Sequence, residues 1–529
     1  MFATLAGHMA WYGSWIVDDA GITFAYARNV AAGHGWVSFP GEAPVEGFTN
    51  LLWLLALLPT FACGLFDPVV TPKLLGFACA FGALLLTRRA IRSSRAEQRL
   101  WGDVGLVLVA ANPSFAIWCA SGLENGLFAL LVACLLAASA RIAGTQAAIG
   151  WQSAAVAGLV ATATAATRPD GLVLAALWPA TVLVCGGGSS RHRLRLAALA
   201  SGVTILGVLS VTAWRWHTFG DVVPNTFRAK VGDSWPRAAT ASALAIALLA
   251  LQLLRWRLRP SRQAFAGITH AALVLAVLVI TGSQGVTRSL AADLGAGLIA
   301  ITFGLGGRHP PARTAPWVLG TILALSAFRA MPPDWMGEYR FGTPFLLIAT
   351  PWLTIELGAA RALTSGRPRA LLTVLLAALL VSVVWLWSSR AARFQNDPTV
   401  PMADVEAFHA RVADWAAAHS LRDISVMTAD VGGALWLARH RIVDLAGLCD
   451  AEIARRIGRR EDLSELVLAR RPTFVELHGH FANTGNLGTS ATFRDAYVPI
   501  EQAAPDAALR APGSFYLRRD HAPTDGRRR

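Results

Sequence analysis

The sequence predicts an α-helical polytopic membrane protein with about 13 transmembrane helices and a small C-terminal α/β domain. Of its 529 residues, 54% are hydrophobic and only 15% are charged, whereas soluble proteins carry roughly 25% charged residues. The apolar residues form runs close to the length of about 20 residues that a membrane helix needs. Basic residues collect in short loops between these runs, so the net charge of +14 indicates membrane topology rather than nucleic-acid binding.

Apolar runs that could cross the membrane follow one another through most of the chain. They are 2–17, 49–66, 69–87, 102–119, 123–140, 149–167, 171–186, 194–213, 238–254, 264–281, 285–306, 315–330, 343–360 and 370–388. With the basic loops placed in the cytoplasm, the runs alternate consistently from residue 102 onward. The acidic loop 18–48 then lies outside only if one of the runs 49–66 and 69–87 is interfacial or re-entrant.

Residues 389–519 change character, because charges occur throughout and no long apolar run remains. Periodicity predicts helices over 404–419 and 450–470, with strands at Ile424–Thr428, Ile442–Leu445 and Thr473–Leu477. We therefore predict a transmembrane domain over 1–388 and a soluble α/β domain over 389–519 on the outer side. A disordered tail is predicted at 520–529.

The first outside loop contains the strongest cluster of polar residues at an apolar border, a position that indicates function. Asp18 and Asp19 are adjacent at its start. A carboxylate held at the water boundary can act as a general base toward a hydroxyl. The same pair can also simply cap the amphipathic stretch that follows. The spacing alone does not separate these two interpretations.

Four further outside loops add polar groups, and the cations among them, Arg168, Arg228, Lys230 and Arg340, break the positive-inside pattern. Arginine binds phosphate through two parallel hydrogen bonds, so these loops suit an anionic headgroup. Interfacial anchoring by Trp, Tyr and Arg explains any one loop equally well. The loops contain Glu124, Arg168, Asn225, Lys230, Glu338 and Arg340. No His, Cys or Asp cluster has the spacing of a metal site, so no metal ligands are predicted.

Together these motifs resemble the GT-C membrane glycosyltransferases, and among them the terminal β-arabinofuranosyltransferases of the mycobacterial cell wall and their bacterial homologues. The first loop is the most specific part, and the similarity covers nearly the whole chain. The matching segments are Asp18–Ala20, Phe24–Asn29, Gly33–Gly35, Pro40–Glu42, Val45–Asn50, Ser121–Glu124, Thr167–Gly171, Pro224–Phe227 with Lys230, Gly337–Phe341, Asp430–Leu435 and Ile442–Leu448. The chain departs from the family pattern at Gly21, where Tyr is usual, and at Ala25, where Arg is common.

The resemblance implies an inverting transfer of a sugar from a polyprenyl-phosphate donor to a cell-envelope glycan acceptor, at the outer face of the plasma membrane among its lipids. It implies Asp18 as the base and Asp19 as the residue that orients a substrate, with no cofactor and the need for a divalent metal left open. The donor phosphate would be held by Arg168, Lys230 and Arg340. The sugar hydroxyls would be held by Glu46, Asn50, Glu124, Asn225 and Glu338.

Two other classes of function compete with a transferase. A lipid-linked sugar flippase would show paired internal repeats and polar groups near the membrane midplane, and this sequence shows neither. A non-catalytic glycan-binding assembly protein would have no need of both acidic residues. We therefore favour the transferase, with arabinofuranose as one candidate sugar among pentoses and hexoses.

Overall fold

The computed structural model describes residues 1–91, 96–143, 149–231, 315–331, 335–362, 365–458, 463–479, 481, 487–503, 509 and 514–522. The predicted spans 238–254, 264–281 and 285–306 lie outside these residues. The described residues form two compact units. The first unit contains those that fall within 1–14, 72–211 and 236–399, and the second contains those that fall within 15–71, 212–235 and 400–529.

Helices make up most of the described chain up to residue 396. They are α1 (Phe2–Trp11), α2 (Asp18–Ala31), α3 (Leu51–Ala62), α4 (Val70–Ile91), α5 (Ala96–Ala111), α6 (Pro113–Ala120), α7 (Asn125–Ala143), α8 (Trp151–Thr167), α9 (Gly171–Leu174), α10 (Leu177–Cys185), α11 (Ser190–Phe219), α12 (Asn225–Val231), α13 (Ala315–Ala330), α14 (Thr343–Ala362) and α15 (Gly366–Asn396). A 3-10 turn, Arg340–Gly342, precedes α14.

Among the described residues, four helices are long and apolar enough to cross a membrane. They are α4, α7, α11 and the part of α15 from Arg369, and the pair α5 and α6 would add a span bent by 56°. Large apolar side chains of α15 are exposed, as expected for a helix in contact with lipid; they include Leu371, Val374, Leu375, Val381 and Trp385. The predicted number of 13 crossings is not confirmed by the described residues.

The two apolar runs that the topology could not both accommodate differ in the structure. The run 69–87 gives α4, whose 22 residues extend about 33 Å, close to the roughly 30 Å of a bilayer core. The run 49–66 gives α3, whose 12 residues include Pro59 and extend only about 18 Å. Of these two, only α4 is long enough to span.

Glycine brings helices of the first unit into backbone contact. A Cβ at Gly105 of α5 would lie 2.5 Å from Pro351 Cα of α14, and a Cβ at Gly126 of α7 would lie 2.5 Å from the carbonyl oxygen of Gly76 in α4. Close approach at small residues is typical of helix packing inside membranes, because no hydrophobic force drives apolar helices together there.

The C-terminal part of the second unit is an α/β fold, as predicted. Its elements are α16 (Met402–Ala418), β1 (Ser425–Thr428), α17 (Gly432–Leu437), β2 (Arg441–Asp444), α18 (Ala451–Gly458), α19 (Ser464–Arg470), β3 (Phe474–Leu477), α20 (Ala491–Ala496), β4 (Tyr497–Pro499), α21 (Ile500–Ala503) and β5 (Ser514–Arg518). The predicted strands are confirmed as β1, β2 and β3. The predicted helix 450–470 corresponds to α18 and α19, while β4 and β5 were not predicted.

The five strands form one sheet in the order β2-β1-β3-β5-β4. β1 is parallel to β2 and β3, whereas β5 is antiparallel to β3 and β4. Both faces are buried, as is usual where parallel strands are covered by helices. Val475 and Met427 belong to one core cluster, and Val426 and Phe474 to the other, with Phe408 of α16.

Candidate functional site

The acidic pair lies at the first two positions of α2, in the second unit. The carboxylate of Asp18 is buried, with 2% of the residue exposed. Its two oxygens accept hydrogen bonds from the backbone N–H groups of Gly432 at 2.9 Å and Gly433 at 2.7 Å. These N–H groups open α17, where no partner exists within the helix. Asp18 is therefore the first residue of α2 and also caps the N-terminus of α17.

Burial dominates the ionisation of Asp18. The pKa of this carboxyl is raised to about 8, mainly by burial and also by the negative charges of Asp430 and Asp19, while the N–H groups of Gly433 and Gly432 lower it. Two hydrogen bonds to the anion do not fully replace the water that it loses. Asp18 therefore holds a proton more tightly than an ordinary aspartate.

Two glycines make this contact possible. A Cβ at Gly21 would lie 2.4 Å from the carbonyl oxygen of Gly432, and a Cβ at Gly432 would lie 1.7 Å from the backbone oxygen of Asp18. Both distances are far below van der Waals contact and involve backbone atoms. Any side chain larger than that of glycine at position 21 would therefore clash with the backbone of α17.

Arg28, in the last turn of α2, contacts the other end of α17. Its guanidinium donates to the carbonyl oxygens of Trp436 at 2.5 Å and Leu435 at 3.0 Å. It also lies 5.3 Å from the centre of the Trp436 ring. The last carbonyls of a helix lack partners and attract cations. Sequence analysis gave Arg28 no role, since α17 is some 400 residues away in the chain.

Asp19 differs from its neighbour in exposure. It is half-buried, whereas Asp18 is 2% exposed. Its negative charge contributes to the raised pKa of both Asp18 and Cys449, which places it in the same electrostatic environment. Of the two carboxylates, Asp19 is the more accessible to solvent.

Glu46 is held by an ion pair. Its carboxylate is 2% exposed and contacts the guanidinium of Arg215, with Oε1 accepting from Nη2 at 3.0 Å. Its backbone oxygen accepts the N–H of Asn225 at 3.1 Å. Glu46 therefore connects separate segments of the second unit. Its predicted role in sugar binding stays a prediction.

The predicted sugar ligands Asn50 and Asn225 also make hydrogen bonds inside this unit. Asn50 exchanges hydrogen bonds with the hydroxyl of Thr23 at 3.2 and 3.3 Å. The side-chain amide of Asn225 donates to the carbonyl oxygens of Gly447 at 2.7 Å and Leu448 at 2.9 Å. Both amides thus join segments that are distant in the sequence. The side chain of Lys230 lies outside the described part of the chain.

The carboxyl ends of the parallel strands carry further polar residues that sequence analysis left without a role. Asp430 follows β1, and its carboxylate lies 3.2 Å from His478 Nε2, just after β3. The hydroxyl of Thr428 donates to Glu476 at 2.8 Å. Ligands of open α/β sheets usually bind at this edge, so the strand predictions did contain a signal for these residues.

Arg168 lies in a buried ion-pair network of the first unit. It is 3% exposed and contacts Glu124 at 2.9 Å and Asp170 at 2.9 Å. Its guanidinium also lies over the rings of Phe128 and Phe341, at 5.2 and 4.7 Å. Two carboxylates and two rings surround the cation, so a phosphate would have to share or displace one of these partners.

Arg340 joins the same network. Its Nη2 lies 3.3 Å from the Glu124 oxygen that Arg168 also contacts, and its Nη1 donates to the sulfur of Met336 at 3.3 Å. Its backbone oxygen accepts from the amide of Asn125 at 3.1 Å. Glu124 therefore bridges two of the predicted phosphate ligands, and their role toward phosphate stays a prediction.

Glu338, the last predicted sugar ligand, lies in an unusual stretch of backbone. Gly337, Glu338 and Tyr339 have φ angles of 71°, 47° and 50°, a left-handed conformation that is costly for residues other than glycine. The carboxylate pairs with Arg390, which also donates to the hydroxyl of Ser114 at 3.2 Å. Strained backbone of this kind persists where surrounding contacts fix it.

Within the part of the chain that the structure describes, no three His, Cys, Asp or Glu side chains are grouped so that they could hold a metal ion.

Parts of this chain are similar to one family model and to one solved structure. A family model described as a domain of unknown function (DUF8728) matches residues 401–521. No curated protein matches the sequence. Among solved structures, a crystal structure of the Archaeoglobus fulgidus oligosaccharyltransferase with zinc and sulfate is similar at a TM-score of 0.42 and 11% identity. The similarity covers 83% of this chain, which spans only 62% of the length of that oligosaccharyltransferase chain.

Proposed function

We propose that this chain is an integral membrane glycosyltransferase of the GT-C kind. It moves a sugar, with arabinofuranose as the first candidate, from a polyprenyl-phosphate donor to a cell-envelope glycan acceptor at the outer face of the plasma membrane. The observation that carries the proposal is the acidic pair at the start of α2, in which Asp18 is fixed by two N–H groups and Asp19 is half-buried.

The proposed reaction inverts the anomeric centre. A carboxylate of the pair takes the proton of an acceptor hydroxyl, and the hydroxyl oxygen attacks the anomeric carbon. The bond from that carbon to the phosphate oxygen breaks, and the polyprenyl phosphate leaves with the electron pair. A fixed cation stabilises the charge that develops on the departing phosphate, a role that the motif resemblance assigns to Arg168, Lys230 and Arg340.

Three features support this assignment. The first-loop motif is the most specific similarity in the sequence. The described helices include four that can cross a membrane, which is where a lipid-linked donor lies. The residues predicted to bind substrate include the buried polar side chains of Glu46, Asn50, Glu124 and Asn225, and buried polar groups in a membrane protein are candidates for a functional site.

The test is sugar transfer by membranes that contain the chain, with a panel of labelled polyprenyl-phosphate sugars as donors. We expect transfer from one donor, and its loss at equal protein abundance in a variant that carries both Asp18→Asn and Asp19→Asn. Asp404→Asn is the matched control, because Asp404 is an exposed aspartate of the same unit. Folded protein that transfers no sugar from any donor would contradict the proposal and favour a flippase or a glycan-binding protein.

A further inference from the structure

Asp18 and Arg28, near opposite ends of α2, contact opposite ends of one short helix, α17. At the start of α17, Asp18 accepts hydrogen bonds from the N–H groups of Gly432 and Gly433. At the end of α17, Arg28 donates to the carbonyl oxygens of Leu435 and Trp436. α17 has only six residues, so most of its N–H and C=O groups lack partners within the helix.

The signs of the charges fit the helix that they contact. The start of a helix carries a partial positive charge and its end a partial negative charge. Here the carboxylate of Asp18 meets the start of α17 and the guanidinium of Arg28 meets its end. A helix this short is not stable alone in water, so partners at both ends fix its position.

Helix geometry separates the two aspartates. With 3.6 residues per turn, each residue turns the direction of the side chain by about 100°. Gly21 and Arg28 therefore point roughly 60° and 80° to one side of Asp18, on the face that contacts α17. Asp19 points about 100° to the other side. When Asp18 contacts α17, Asp19 must face away from that contact.

We propose that Asp18 and Arg28 are positioning residues that clamp α17 against α2, and that Asp19 is the carboxylate that takes the proton of the acceptor hydroxyl. The first part stands on the contacts alone, and the second rests on the proposed function. Asp18 is 2% exposed and each of its oxygens faces a backbone N–H of α17, whereas Asp19 is only half-buried. Asp19 sits one residue further along a helix that the clamp holds in place.

Hydrogen exchange of the backbone amides tests the clamp without any assay of activity. The full-length protein in detergent micelles is compared with Asp18→Asn, Arg28→Gln, Gly432→Ala and Asp19→Asn. We expect faster exchange in the peptide that covers 430–437 for the first three variants, because each disrupts a contact with α17. Asp19→Asn should exchange like the unaltered protein. Unchanged exchange in both Asp18→Asn and Arg28→Gln would overturn the clamp.

Transfer kinetics test the division of roles. Asp19→Asn should lower kcat by at least about a hundredfold, the usual loss for a general base, and should remove the acidic limb of the pH profile. Asp18→Asn should keep that limb and lose activity to the same extent as Gly432→Ala, which removes no titratable group. Loss of the limb in Asp18→Asn with protected amides at 430–437 would make Asp18 the base. Absence of transfer in the unaltered protein would refute the proposed function, while the exchange experiment would still decide the clamp.

Discussion

At the scale of single residues, the Asp18 carboxyl combines two opposing environments. It accepts two short hydrogen bonds from backbone N–H groups, which favour the anion, yet it has lost nearly all contact with water. Burial has the larger effect, and the pKa rises to about 8. Asp444 repeats the arrangement: it accepts the N–H groups of Gly447 and Cys449, and burial raises its pKa to about 7.

The raised pKa of Asp18 predicts a pH dependence of stability. The folded chain binds this proton more tightly than the unfolded chain, whose aspartate has an ordinary pKa of 3.8. The contribution to the free energy of unfolding is therefore complete below about pH 4 and is lost as the pH rises through about 8. We expect the melting temperature to fall less between about pH 5 and 9 in Asp18→Asn than in the unaltered protein.

Thermal unfolding of the purified protein across that pH range measures the difference. Asp444 also lowers the melting temperature as the pH rises, and it does so in both proteins. Only the difference between their slopes of melting temperature against pH is therefore informative. Asp404→Asn, at an exposed position, should retain the slope of the unaltered protein. Equal slopes for Asp18→Asn and the unaltered protein would show that the buried carboxyl has no raised pKa.

The ion-pair network around Glu124 predicts a large loss of stability on neutralisation. In Glu124→Gln the buried guanidinium groups of Arg168 and Arg340 lose a shared counter-charge. Removing one partner of a buried pair costs about 3–5 kcal/mol. The control is Asp103→Asn, because Asp103 pairs with Arg88 at an exposed site, where such pairs contribute about 0–1 kcal/mol. Chemical denaturation of both variants in detergent compares the losses, and similar losses would contradict the prediction.

At this scale the sequence located polar residues better than it assigned their roles. Adjacent acidic residues after an apolar run were enough to select Asp18 and Asp19. The partners of Glu46 and Asn225 could not be inferred, since Arg215 and Gly447 lie 169 and 222 residues away. No local pattern encodes such pairs, so a residue that braces the fold and one that binds a sugar look alike in the sequence.

At the scale of elements, apolar length predicted helices but not their breaks. The run 102–119 reads as one span, yet the structure bends it by 56° between α5 and α6. Pro113 has no N–H and disfavours a continuous helix, and the Asn112 side chain accepts the N–H of Phe115 at 3.4 Å. The Asn-Pro pair was a signal for this break. By contrast, β4 and β5 are short strands, and β5 pairs with β3 across about 40 residues of sequence, so no local pattern predicted them.

The space around two helix glycines, Gly105 of α5 and Gly7 of α1, predicts opposite effects when each is replaced by alanine. A Cβ in Gly105→Ala would meet Pro351 Cα at 2.5 Å and Thr354 Oγ1 at 2.3 Å, so overpacking should cost about 1–3 kcal/mol. At Gly7 of α1, no described atom lies within 4 Å of such a Cβ. Gly7→Ala should be neutral or stabilising by about 0.5–1 kcal/mol, because alanine favours the helix. Melting temperatures in detergent compare the two, and equal shifts would contradict the close contact.

At the scale of the whole molecule, the distribution of arginine predicts the side of the membrane on which each segment lies. Loop 187–195 contains Arg191, Arg193 and Arg195 and should be cytoplasmic, whereas the chain after 388 should be outside. Alkaline phosphatase fused to the C-terminus should be active and a green fluorescent protein there should be dark. Fusions after Ser189 should give the reverse. Fluorescence from the C-terminal fusion would contradict the proposed outer location.

The outer strands of the C-terminal sheet have a consequence for self-association. β2 has four residues and begins with Arg441, which is exposed and paired with Glu42, while β4 has three residues and ends with Pro499. Short edges that carry a charge or a proline are poor templates for an incoming strand. Concentrated protein should therefore aggregate through its apolar helices. Fibrils that grow from the edges of this sheet should be rare.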